Sequence, residues 1–143
     1  MVRVELIREG GGTPPVSYVV IAARHKGGWI FVRHRRRGGF EMPAGHPGEG
    51  EDTVTAAARE LIEETGATDF TMEPVAYYSV DAGQGEQYGR LFYADVGKLG
   101  ELTDHDEIEG VRIFRRMPRN LSLREVMSFL FRVARQHADS QKV

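Results

Sequence analysis

Residues 45 to 67 read Gly45-His46-Pro47-Gly48-Glu49-Gly50-Glu51-Asp52-Thr53-Val54-Thr55-Ala56-Ala57-Ala58-Arg59-Glu60-Leu61-Ile62-Glu63-Glu64-Thr65-Gly66-Ala67. Val54, Ala57, Ala58, Leu61 and Ile62 follow the i, i+3, i+4, i+7, i+8 spacing of a helix with one apolar stripe. Asp52 or Thr53 is suited to cap its start, and Gly66 to take the left-handed position just past its end. At about 100° per residue, Glu60 and Glu64 fall side by side, away from that stripe, with Glu63 next to them. Like charges one turn apart destabilise a helix by a few tenths of a kcal/mol, and the end of a helix favours cations rather than anions. Arg59 offsets only part of this cluster. Carboxylate oxygens are hard donors, and a bound Mg²⁺ or Mn²⁺ would relieve the repulsion. An isolated Glu-x-x-Glu-Glu would otherwise be read as a solvated acidic face.

The surrounding spacing reverses that reading. Gly45, Glu51, Arg59, Glu60, Glu63, Glu64 and Gly66 stand at the separations of the Nudix box, and Ala67 weakly fills its final aliphatic slot. At average residue usage, seven such matches arise by chance on the order of once in 10⁸ starting positions. The chain therefore resembles the Nudix hydrolases, over roughly residues 16 to 137. The resemblance implies an α/β fold, the Nudix-type α/β/α sandwich with a mixed β-sheet. It also implies hydrolysis of a nucleoside diphosphate linked to another group, with water attacking phosphorus and metal ions holding the phosphates.

The resemblance assigns Glu60, Glu63 and Glu64 as carboxylate ligands and the Ala44 carbonyl as a backbone ligand. Glu63 and Glu64 then stand at the catalytic centre; members of the family also draw a general base from a later loop, where Glu107 and Glu109 are the best-placed acids and Glu107 is the candidate. Gly45 would let the loop approach the metal, Glu51 and Arg59 would form a supporting ion pair, and Gly66 would close the helix. The basic run Arg33-His34-Arg35-Arg36-Arg37 ends just before the box, and Arg33 and Arg37 are its expected phosphate contacts. Tyr77, Tyr78 or Phe92 would stack on the base.

The substrate cues conflict. Glu41-Met42-Pro43-Ala44-Gly45 resembles the approach to the box in ADP-ribose pyrophosphatases. Where that subgroup usually carries a proline beyond the box, this chain has Asp81 and Ala82, and barely one strand precedes the core. Gly27-Gly28-Trp29-Ile30-Phe31-Val32-Arg33-His34 looks closer to the MutT-like branch, which cleaves a (deoxy)nucleoside triphosphate to monophosphate and pyrophosphate. An oxidised guanine nucleotide, 8-oxo-dGTP, is the candidate within it. ADP-ribose or another nucleoside-diphosphate derivative is the alternative. A non-catalytic nucleotide-binding module would usually have lost box carboxylates, and all are present here.

With 143 residues and no repeat or long linker, the sequence is expected to form one domain, 1–143. There is no cysteine, which excludes disulfides and thiolate metal sites. A net charge of −2 gives no general attraction for a nucleic acid polymer. No apolar run reaches membrane-spanning length and no secretory h-region stands at the N-terminus, so no membrane partner and a cytoplasmic setting are expected. Monomer and homodimer both remain open.

Outside the box, strands are expected at Val2 to Arg8, Val16 to Ala23, Trp29 to His34, Phe70 to Val80, Gln87 to Val96 and Val111 to Phe114. A turn is expected at Gly97 to Gly100. A second helix should begin near Leu121, with Ser122 and Glu125 as a capping box and Leu121 and Val126 as a staple. Its buried stripe would be Val126, Phe129, Leu130, Val133 and Ala134, and its tail from Ala138 should fray.

Overall fold

A computed structural model describes residues 1–8 and 10–141. The elements in order are β1 (Arg3–Leu6), β2 (Tyr18–His25), β3 (Gly28–His34), β4 (Phe40–Glu41), β5 (Ala44–Gly45), α1 (Thr53–Thr65), β6 (Ala67–Asp81), β7 (Glu86–Leu99), β8 (Ile108–Phe114) and α2 (Arg124–Ser140). The strands form one mixed sheet in the order β1-β6-β7-β2-β3-β4, with β5 also on β2 and β8 on β3. Among the strands of the described residues the β2–β7 pair is the parallel one, from Tyr18 opposite Gly89 to Arg24 opposite Asp95.

The middle strands are buried on both faces, as continuous apolar runs such as Val19–Ala23 require. On one face Val20, Ala22, Trp29, Phe31 and Leu91 pack against Met127, Leu130 and Phe131 of α2. On the other, Val19, Ile21, Ile30 and Phe92 pack against Ala56, Ala57 and Leu61 of α1. The chain is thus an α/β sandwich with a helix on each side of a mixed sheet.

One feature of the sheet places the site. β2 and β3 pair only beside their turn, at Arg24 with Trp29 and His25 with Gly28. Lys26 and Gly27 are both left-handed, as a two-residue hairpin turn of this twist demands. Beyond the turn, β5 lies on β2 through Val19–Gly45 and Val20–Ala44, while β4 lies on β3 through Val32–Glu41 and Arg33–Phe40. The chain leading into α1 is thereby threaded into the middle of the sheet.

Several expectations change. The stripe of α1 is rotated: Ala56, Ala57, Glu60, Leu61 and Glu64 are buried, whereas Val54 and Ile62 are 48% and 43% exposed. The helix turns its carboxylates inward because β5 offers them a backbone to lie against. The turn at Gly97–Gly100 is instead the end of β7, and the Gly100 amide donates to the Gly66 carbonyl. β8 begins three residues earlier than Val111. The capping box at Ser122 does not form, because its hydroxyl accepts from the Gly39 amide and α2 starts after Leu123 with no side-chain cap. The buried stripe of α2 is Met127, Leu130, Phe131, Ala134 and Ala138, so the helix stays packed past the expected fraying point. Residues 142 and 143 of the expected tail lie outside the described residues. No helix among the described residues is long and apolar enough to cross a membrane.

Candidate active site

The site is built where the β5 loop meets the inner face of α1. Asp52 caps the helix through a 2.8 Å bond from the Thr55 amide, and Gly66, at φ 77, ends it by donating to the Ile62 carbonyl. Glu64 is 4% exposed and accepts from the Ala44 amide at 3.1 Å. Glu60 is 8% exposed and lies over Gly45, whose missing side chain leaves room for its carboxyl group.

Arg59 organises the outer layer. Its Nε and Nη2 donate to Glu51 Oε2 and Oε1, both at 2.9 Å, in a bidentate pair. Its Nη1 reaches Glu60 at 2.8 Å and Glu63 at 3.2 Å, and Nη2 also reaches the His46 carbonyl. Glu51 further accepts from the Gly48 amide. The Arg59 guanidinium, with that amide, holds the Glu51 carboxyl down to about 2. Arg59 thus ties the loop to the helix while also drawing on two box carboxylates.

Glu64 has no such cation. Burial first, then the neighbouring carboxylates of Glu60, Glu41 and Asp104, push its carboxyl up to about 9. Burial likewise raises Glu60, against the pull of Arg59. Glu64, Asp104 and Glu107 offer oxygens that all lie within 4.8 Å of one another. Two further acidic side chains gathered beside the buried Glu64 carboxyl, which no cation pairs, suit a hard divalent cation. The Glu60 carboxyl seated in the Gly45 cradle stands beside them, and the residues present therefore fit such an ion.

Asp104 was not singled out from the sequence; it sits in an acidic stretch that also reads as a solvated loop. The structure ties that loop down, since the Asp104 amide donates to the Glu63 carbonyl and the Glu107 amide to Asp104 Oδ1. His34 was missed as well. It is 8% exposed, and its Nε2 lies 3.9 Å from Glu107 Oε2. The register of β3 on β8 shifts between Arg33 and His34, a bulge that re-aims side chains. Alternation with Ile30 and Val32 was the available signal.

A cleft of about 410 Å³ runs past these groups, lined among others by His34, Arg36, Arg37, Ala44, Glu60, Glu64 and Glu107. Glu63 is turned to an adjoining hollow that it shares with Arg59, Glu60, Asp104 and Glu107. Three expected substrate contacts are not brought here. Arg33 points to the α2 side, 3.0 Å from Glu109 and over the Phe40 ring. Phe92 is fully buried beneath α1 and has no face to offer a base. Tyr77 lines a separate hollow with Arg8 and Arg90, and its ring is covered by the Arg90 guanidinium at 4.5 Å. Arg37 reaches the cleft, but its Nε and Nη2 are bonded to Glu41 at 2.6 and 2.9 Å.

A helix–loop–sheet junction of this kind, with box glycines, an arginine hub and inward carboxylates, has counterparts among known proteins. The sequence pattern of the NUDIX domain matches residues 13–131, and the chain belongs to the Nudix family of hydrolases. The Bacillus subtilis protein YtkD, provisionally named an 8-oxo-dGTP diphosphatase, is 31% identical over 116 residues, covering 81% of this chain and 73% of YtkD. A B. subtilis ADP-ribose pyrophosphatase is also 31% identical, over 104 residues, which span 69% of this chain and 56% of that enzyme. Among solved structures, the B. subtilis pyrophosphohydrolase BsRppH superposes with a TM-score of 0.81 at 25% identity, covering 99% of this chain and 92% of that one. A MutT NUDIX hydrolase from Burkholderia pseudomallei superposes at 0.68 with 17% identity, over 84% and 98% of the two chains, a likeness of fold.

Proposed function

We propose that this Nudix hydrolase cleaves a (deoxy)nucleoside triphosphate to the monophosphate and pyrophosphate, with Mg²⁺ or Mn²⁺, in the cytoplasm, and that 8-oxo-dGTP is among its substrates. The observation that carries the reading is the convergence of Glu64, Asp104 and Glu107 within 4.8 Å, beside a cleft lined by basic residues. The coverage of YtkD, wider than that of the ADP-ribose enzyme, supports the triphosphate over ADP-ribose.

A bound divalent cation would neutralise phosphate oxygens and lower the pKa of a water it holds. In this chain Glu60, Glu64 and the Ala44 backbone, with Glu63 and Asp104 at the margin, are the groups to hold it. Glu107 accepts the proton of the attacking water as its oxygen bonds to phosphorus, and the bridging P–O bond breaks to release pyrophosphate. His34 lies beside Glu107 in the wall of the cleft. Arg36, exposed on the cleft wall, meets the outer phosphates. Arg59 and Glu51 fix the loop so that the ligands keep their places.

The test is product analysis with dGTP, 8-oxo-dGTP and ADP-ribose in parallel, with and without Mg²⁺. Pyrophosphate from a triphosphate at the highest kcat/KM is the expected result. AMP and ribose 5-phosphate formed with the higher kcat/KM would replace this substrate with ADP-ribose.

A further inference from the structure

The separate hollow beside Tyr77 measures about 410 Å³, within the roughly 300–1,000 Å³ of pockets that hold a whole small ligand. It lies where the chain leaves β1, between the loop at Gly10, Gly12 and Thr13 and the middle of β6. The register of β6 on β7 shifts between Pro74 and Ala76, and both residues line the hollow at that irregularity. Among the described residues it has no wall in common with the acidic cleft or with the hollow beside Glu63.

Arg90 is its central group. Tyr77 stands opposite it across the β6–β7 pair, and the guanidinium lies 4.5 Å from the centre of that ring and 5.3 Å from that of Phe92. Nη1 donates to the Thr53 hydroxyl at 2.9 Å. These contacts fix the plane of the guanidinium before anything binds. They leave its charge unanswered. Nε is buried without a hydrogen-bond partner, and no carboxylate pairs with Arg90 among the described residues. A half-buried cation with a spare donor gains from an anion that supplies both the charge and the acceptor.

Arg8 brings a second guanidinium to the same hollow, exposed at its mouth and likewise without a carboxylate among the described residues. Thr13 adds a hydroxyl, and Gly10 and Gly12 present backbone instead of side chains. The described lining thus holds two cations and no acidic group, in a chain whose net charge is −2. Two forked guanidiniums and a hydroxyl, arriving from different parts of the chain, match the several terminal oxygens of a tetrahedral phosphate better than a planar carboxylate.

We infer that this hollow is a second anion site, apart from the catalytic cleft, which takes the phosphate group of a small phosphorylated molecule between Arg90 and Arg8. The inference stands whether or not the acidic cleft cleaves a triphosphate. Thr53, which Arg90 holds, is the first residue of α1, the helix that carries Glu60 and Glu64. An occupant is therefore tied through Arg90 to the start of that helix and stabilises the folded chain by mass action.

The test is calorimetric titration of inorganic phosphate, with malonate as the carboxylate arm, at fixed ionic strength and with a chelator in place of Mg²⁺. Without metal the carboxylates of the acidic cleft repel phosphate, so binding reports on the second hollow. One saturable phosphate site is expected in wild type, with malonate weaker. Arg90→Gln should weaken phosphate about ten-fold or more, the scale of a lost charge-assisted hydrogen bond, and Arg8→Gln at least about three-fold. Arg36→Gln, in the catalytic cleft, should change it by less than about two-fold. Phosphate should also raise the Tm of wild type and leave that of Arg90→Gln where it was. Arg8 is exposed, so its variant decides the matter if Arg90→Gln fails to fold for want of its ring contacts. No saturable binding by wild type, unchanged affinity in either folded variant of Arg90 or Arg8, or Arg36→Gln as damaging as Arg90→Gln would each overturn the inference. Malonate bound more tightly than phosphate would overturn the choice of phosphate.

Discussion

Gly45 and Glu60 share one volume: a methyl group on residue 45 would fall within the Glu60 carboxyl group. The glycine is there for the helix that follows it, since β5 must lie against α1 closely enough for Glu64 to reach the Ala44 amide. Gly45→Ala should displace Glu60 and with it the cation. We expect turnover to fall by about ten- to a hundred-fold, as for disturbed support of a metal site. Calorimetric Mg²⁺ affinity should fall in parallel, and an unchanged affinity would detach Glu60 from the metal.

Glu64 gives a pH signature in the metal-free protein. Its carboxyl is raised from the ordinary 4.5 to about 9, so between these values the folded chain holds a proton that the unfolded chain has released. Stability therefore falls as pH rises across that window, and is insensitive to this group below it. Glu64→Gln should flatten this slope, leave the fold at least as stable at pH 8, and abolish turnover with saturating Mg²⁺. In wild type, added Mg²⁺ should release protons, read from calorimetry in buffers of different ionisation enthalpy. A wild type with the same pH slope as Glu64→Gln would remove the buried-carboxyl account.

The architecture was legible because the box spacing carries the family resemblance, and the two ends of α1 were legible locally. The left-handed Gly66 and the Asp52 cap follow from residue type at a helix end. The facing of α1 was not legible. Val54 and Ile62 fit the stripe as well as Ala56 does, and only the threading of β5 through the splayed sheet decides which side is inward. Phe92 and Tyr77 alternate correctly along their strands, yet both sheet faces are covered, so alternation could not say which aromatic borders a cleft. Asp104 and His34 join Glu64 and Glu107 through long-range pairings of β8 with β3 that leave no mark on local sequence.

Glu107 combines a place in the acidic cluster with an exposed side chain, which suits a base more than a structural ligand. Glu107→Gln should lower kcat by roughly 10²- to 10⁴-fold, the usual contribution of general-base catalysis, with KM little changed. A raised Mg²⁺ requirement at unchanged kcat would make Glu107 a ligand instead.

Arg37 tests how a basic run should be read. The sequence suggests a phosphate contact, for which Arg37→Ala would raise KM more than it lowers Tm. The structure gives the side chain another task, because Glu41 is 2% exposed and the forked bond from Arg37 is what offsets its charge. Removing one partner of a buried pair costs about 3–5 kcal/mol at full burial, and less here because the Arg37 side chain is 38% exposed. Arg37→Ala should therefore lower Tm by several degrees, through β4 and the cleft floor it supports. Glu41→Gln in the same chain should restore much of that loss, since a neutral amide needs no cation. The double-mutant cycle separates the roles: strong coupling in Tm with KM recovering in the double variant makes Arg37 a support for the floor. A KM that stays high when Tm has recovered would return Arg37 to the phosphates.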